Sequence, residues 1–93
     1  MIVSVANASM EDADTTHLFG IWSDIIVGDR PAGLVDCFLL RGDGGVHVHA
    51  VWESREAHDH AVAERSNHPA FGFFEACGVD PSHVVYEVIG RLS

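Results

Sequence analysis

The stretch 46–57, VHVHAVWESREA, constrains the fold more than any other part of the chain. Over 46–52 apolar and polar residues alternate, the period of a strand that buries one face. Ser54 then stands where a helix N-cap belongs, ahead of Ala57, Ala61 and Val62 as the inward positions of a helix. A strand that carries an indole to its own end and turns at once into a helix puts Trp52 at a sheet–helix seam. A small pocket can form there.

The other elements follow from similar patterns. Residues 2–6 are a short β-rich run. Ser9 and Asp12 resemble a capping box, and Leu18, Ile21, Trp22, Ile25 and Ile26 then recur at the spacing of one apolar helix face, which Gly28 stops. The turn 29–33, DRPAG, leads into a strand over 34–41. The loop Gly42-Asp43-Gly44-Gly45 folds it back on the strand 46–52 as a hairpin. Asn67-His68-Pro69 interrupts the second helix, with Pro69 suited to the first turn of a renewed one that holds Phe71, Phe73 and Phe74 and ends at Gly78. Residues 83–89, HVVYEVI, close the chain as a strand. The order is βαββαβ. That is a ferredoxin-like α+β fold, a four-stranded antiparallel sheet with helices on one face, in one domain over 1–93.

The strands 2–6, 34–41 and 83–89 carry apolar groups on both faces, so the face away from the helices must also be covered. A chain of 93 residues buries only about 60% of its unfolded surface and offers no spare element for the task. A second copy packed sheet to sheet would cover it and enlarge the core, which predicts a homodimer forming a barrel. Cys37 and Cys77 show no metal or redox spacing and read as buried thiols in a reducing compartment. The formal charge of −9, with five basic residues, all arginine, argues against nucleic acid and anionic membranes. No basic leader or long apolar run is present, so the expectation is a soluble, cytoplasmic protein.

The element order, the entry Pro31-Ala32-Gly33-Leu34, the segment Ala50-Val51-Trp52-Glu53-Ser54-Arg55-Glu56-Ala57 and the closing Val85-Tyr86-Glu87-Val88 together resemble the dimeric α+β barrels of the antibiotic-biosynthesis-monooxygenase type. W-x-S-x-x-A is the most specific of these motifs and marks fold more strongly than activity. The resemblance implies a pocket between helices and sheet, an aromatic substrate and no cofactor. In the polyketide-oxidising members the Trp matching Trp52 lines the pocket, with an Asn four residues earlier and a Tyr six later. Those positions here are Val48 and His58. Haem-degrading members carry a helix Trp and His that fall on Ala61 and Phe71, with His68 out of register, so haem chemistry is disfavoured.

The residues then offer two readings of one aromatic group. Asn7, Trp22, Val48, Trp52, His58, Phe71 and Phe74 could converge on an apolar cavity with a few polar groups. There His58 would be the candidate base, Asn7 the polar orienter and the remainder the walls for an aromatic or quinone-like metabolite. The chain would then be a cofactor-independent monooxygenase. Alternatively the aromatics fill the core and the protein is a non-catalytic dimeric module that binds a ligand or partner. His47 and His49 share the other face of their strand and are weak metal candidates across a dimer axis. His58, Asp59 and His60 are helical neighbours that point apart, one inward and two outward, so they form no chelating triplet.

Overall fold

The computed structural model describes residues 1–10, 14–26, 30–43, 45–64 and 68–92. Along the chain these form β1 (Ile2–Ala8), α1 (Thr15–Ile26), β2 (Leu34–Gly42), β3 (Gly45–Trp52), α2 (Arg55–Ala63), α3 (Pro69–Cys77) and β4 (Ser82–Glu87). The strands make an antiparallel sheet in the order β2-β3-β1-β4. This is the ferredoxin-like arrangement expected from the pattern, with the second helix split into α2 and α3.

Alternation decides which side chains meet the helices. β1 turns Ile2, Ser4, Ala6 and Ala8 inward, and β3 does the same with Val46, Val48, Ala50 and Trp52. Cys37 and Leu39 of β2 pair with Ala50 and Val48 and so share that face, as do His83 and Val85 of β4 through Ala6 and Ser4. Two core clusters result. Under α1 and α3, Leu18 and Trp22 pack with Val46, Val48, Phe73 and Phe74. Under α2, Trp52 packs with Ile2, Ala50 and Ala61. None of the described helices is long and apolar enough to cross a membrane.

Local chemistry sets the helix ends. Ser54 Oγ accepts the Ala57 N–H at 3.1 Å, the cap that its position implied. Pro69 occupies the first turn of α3, and Gly78 closes that helix with φ 75°. Gly33 is required twice over. Its φ is +85°, and a Cβ there would collide with Ala57 Cβ, while its carbonyl accepts the Glu53 N–H.

Three details depart from the sequence pattern. α1 starts at Thr15, where Asp14 rather than Ser9 does the capping: Asp14 Oδ1 accepts the Thr16 N–H at 3.1 Å. The Asp12 half of the expected capping box lies outside the described residues, as do Gly28, Asp29, Gly44 and Asn67. Ile26, at the end of the apolar stripe of α1, is exposed, while Ile25 beside it packs against the core cluster. β4 ends at Glu87. Val88 donates its N–H to the Met1 carbonyl and Ile89 projects outward, so neither adds to a sheet face.

The outer face of the sheet carries apolar groups, as the pattern required. Phe38 and Leu40 stand opposite His49 and His47, and Val84 and Tyr86 opposite Val5 and Val3. Each of these four apolar side chains is at least 40% exposed.

Candidate functional site

The residues expected to converge on one pocket fall in three places. The first is a cleft of about 340 Å³ between α1 and the β2–β3 hairpin. Thr15, Leu18 and Trp22 form its helical wall, and Leu39, Arg41 and Val46 its sheet wall. Trp22 holds its place through an edge-to-face contact with Phe73 at 5.9 Å. Arg41 Nη1 donates to Thr15 Oγ1 at 2.6 Å, which fixes a guanidinium at the rim of an otherwise apolar site. Val48 and Phe74 lie in the core cluster beneath and do not line the cleft. Neither a carboxylate nor an imidazole is among the described lining residues. Cys37 also lines the cleft, with burial and the neighbouring Asp36 charge pushing its thiol up to about 12. It is therefore a neutral thiol at physiological pH. Both cysteines are free and half-buried.

The second place is an enclosed aromatic cluster under α2. Trp52 has no exposed surface, and its indole Nε1–H donates to Ser4 Oγ at 3.0 Å. Packed on it are His58 and His68, with ring centroids 5.7 and 5.4 Å from the indole. His83 completes the group, 5.5 Å from His58 and 5.7 Å from His68. Phe71 covers His68 and His83 at 4.6 and 5.2 Å. His58 is thus the inward member of His58-Asp59-His60, as expected of helical neighbours. Its Nδ1 lies 3.0 Å from Asp59 Oδ1 on the surface. This bond, helped by Arg55 at 3.4 Å, lowers the Asp59 carboxyl below its ordinary range.

One ring nitrogen each from His58, His68 and His83 lies within 4.8 Å of the other two. Burial, and secondarily His58, pushes the His83 imidazole below its ordinary value. Among the groups singled out from sequence, only His58 and Phe71 belong here with Trp52. His68 had a legible signal, since Pro69 makes it the N-cap of α3. No sequence signal links residue 83 to residue 58. Pairing of β4 with β1 brings them together, because Ala6, the partner of His83, is small and leaves room over the sheet.

The third place is the outer sheet face. Asn7 pairs with His47 there, on the side away from Trp52. It therefore cannot orient a ligand between helices and sheet. The reason is strand parity: Ala6 and Ala8 take the inward positions. The His47 and His49 rings lie 6.2 Å apart on the same outer face.

No protein-family model matches the chain, and no curated protein matches it in sequence. Solved structures match it along almost its whole length. A candidate antibiotic biosynthesis monooxygenase from Deinococcus radiodurans superposes with a TM-score of 0.72 at 15% identity, covering 100% of this chain and 97% of that one. Rv0793 from Mycobacterium tuberculosis gives 0.68 at 14% identity, with 99% and 98% covered. SnoaB, a cofactor-independent oxygenase from Streptomyces nogalater, gives 0.65 at 20% identity, with 98% and 95% covered. The chain shares the fold of the antibiotic-biosynthesis-monooxygenase structures, as the resemblance in its sequence implied, and at these identities the likeness is one of fold.

Proposed function

We propose that this protein binds a small aromatic or quinone-like metabolite in the cleft beside Trp22. The observation that carries the reading is the cleft's composition: an indole and aliphatic walls, with one guanidinium at the rim. Its volume of about 340 Å³ is at the lower end of small-molecule sites. A flat ring would stack on or edge against Trp22, and a phenolate, carboxylate or quinone oxygen would meet Arg41. Cofactor-independent oxygenation is the activity that kinship of fold with SnoaB favours for such a ligand. It would require a substrate acidic enough to lose its proton without an imidazole from the cleft, because His58 faces the other cluster. A non-catalytic binding module is the second reading, favoured by that missing base.

The outer face of the sheet supports a companion proposal, a homodimer through the sheets. Phe38, Leu40, Val84 and Tyr86 form an apolar surface that a second copy would bury. Sedimentation should give a dimer at micromolar concentration, and a folded monomer there would overturn it.

The ligand test is titration of intrinsic fluorescence with hydroxylated naphthoquinones and anthrones, with oxygen uptake followed in parallel. Saturable quenching should persist in Trp52→Phe and be lost in Trp22→Phe. Oxygen consumption alongside it makes the protein an oxygenase, and quenching alone makes it a binder. Quenching that depends on Trp52 instead would remove the cleft from consideration.

A further inference from the structure

The enclosed histidine group has a composition that aromatic packing alone does not call for. Its three rings form a nearly equilateral triangle, with centroids 5.5, 5.7 and 5.7 Å apart. Three imidazoles on one tetrahedral zinc ion, with bonds of about 2.0–2.1 Å, place their nitrogens roughly 3.3 Å apart. The ring nitrogens here lie within 4.8 Å of one another, so side-chain rotation has at most about 1.5 Å to close.

A hydrogen bond sets the tautomer of one of the three rings. A carboxylate only accepts, so the proton of the neutral His58 ring sits on Nδ1 against Asp59, and Nε2 keeps its lone pair. His58 Nε2 is enclosed and finds no hydrogen-bond partner among the described residues, and His83 Nε2 is in the same state. A buried polar nitrogen without a partner costs about 1–3 kcal/mol. Coordination of a cation would satisfy both. Asp59 would then act as the outer carboxylate that fixes the tautomer of a metal-bound histidine. The net charge of −9 raises the local concentration of cations.

We propose that His58, His68 and His83 bind one divalent late transition-metal ion of the zinc class, each through one ring nitrogen. Three neutral imidazoles suit Zn(II) and its neighbours and are poor hosts for Mg(II) or Ca(II). Three protein ligands leave a fourth position for water or a substrate atom. Phe71, which covers two of the rings, also lines a surface groove of about 400 Å³ with Glu75, Val79 and Pro81. The site is separate from the Trp22 cleft, so either proposal stands if the other fails.

The experiment uses untagged protein freed of metal by chelation. Zn(II) is titrated against a chromophoric competitor, and Co(II) is followed by visible absorption. One ion per chain should bind, with Co(II) giving the intense bands of tetrahedral coordination. Ring nitrogens of His58, His68 and His83 should shift in NMR spectra of the unmodified protein on adding Zn(II), a readout that needs no variant to fold. His58→Gln, His68→Gln and His83→Gln should each weaken Zn(II) binding at least tenfold. Asp59→Asn should weaken it about tenfold or more, while His60→Gln leaves it within twofold. Binding below one equivalent at 100 μM Zn(II), or shifts confined to other histidines, would overturn the proposal.

Discussion

The two tryptophans occupy opposite kinds of place. Trp22 stands in the wall of an open cleft on an edge of the helix layer, whereas Trp52 is sealed beneath α2 with its indole N–H spent on Ser4. The stronger motif marks the sealed one. W-x-S-x-x-A joins a strand to a capped helix, and the geometry that makes it recognisable is the geometry that closes over the indole. A residue can therefore be the clearest fold signal in a chain and still be out of reach of a ligand. The open cleft is made by the weaker helix pattern around Trp22.

The largest expected effect that separates the two is on stability. Trp52→Phe opens a cavity and leaves the buried Ser4 hydroxyl without its donor, and it should cost roughly 2–3 kcal/mol. Trp22→Phe keeps a ring against Phe73 beside an already open cleft and should cost roughly 1 kcal/mol. Urea denaturation checks both. Equal costs would erase the distinction between a sealed and an open site.

Next comes the backbone support of the sealed region. Gly33→Ala must hold a left-handed φ and push Ala57 away from the turn that receives the Glu53 N–H. A loss of roughly 2 kcal/mol is expected in the same assay. The Trp22 fluorescence response to ligand should be unchanged.

The smallest effect is a pH dependence confined to the Trp52 side. His83 is faced by His58 from α2 and His68 from the start of α3, with Asp59 behind His58. Its folded pKa lies below its ordinary 6.5. As pH falls from 6.5 towards the folded value, the unfolded chain binds more protons than the folded one, so stability declines. Above 6.5 this contribution is fully present. Asp59 acts lower: its contribution is present above the ordinary 3.8 and is lost as pH falls through its depressed folded value. Denaturation of metal-free protein in chelator should show lower stability at pH 5 than at pH 7.5. His83→Gln should remove the part of that decline that sets in near 6.5. An unchanged decline in that variant would assign it to other groups.

Much of the fold was legible because it rests on short-range rules. Alternation over 46–52, the Ser54 cap, the glycine at 33 and the proline at 69 each act within a few residues and read directly from the chain. The site was less legible. Trp22 was named, but Asn7 fails by strand parity and Trp52 by closure, and neither outcome shows until register and packing are known. Arg41 and Leu39 gave no sign of lining a cleft, since the neighbour that makes the cleft is a helix some twenty residues away.

The sequence by itself determined the element order, the caps and the apolar groups on both sheet faces, because hydrophobic periodicity and turn chemistry are local. Only the tertiary structure decided that His58, His68 and His83 meet. They come from a helix, a helix cap and an edge strand, and no pairwise spacing along the chain encodes their approach. Antiparallel pairing of β4 with β1 sets His83 over Ala6, and packing of α2 and α3 on the sheet brings the other two rings to it. Long-range pairing creates the triangle, which is why it is absent from every local pattern in the sequence.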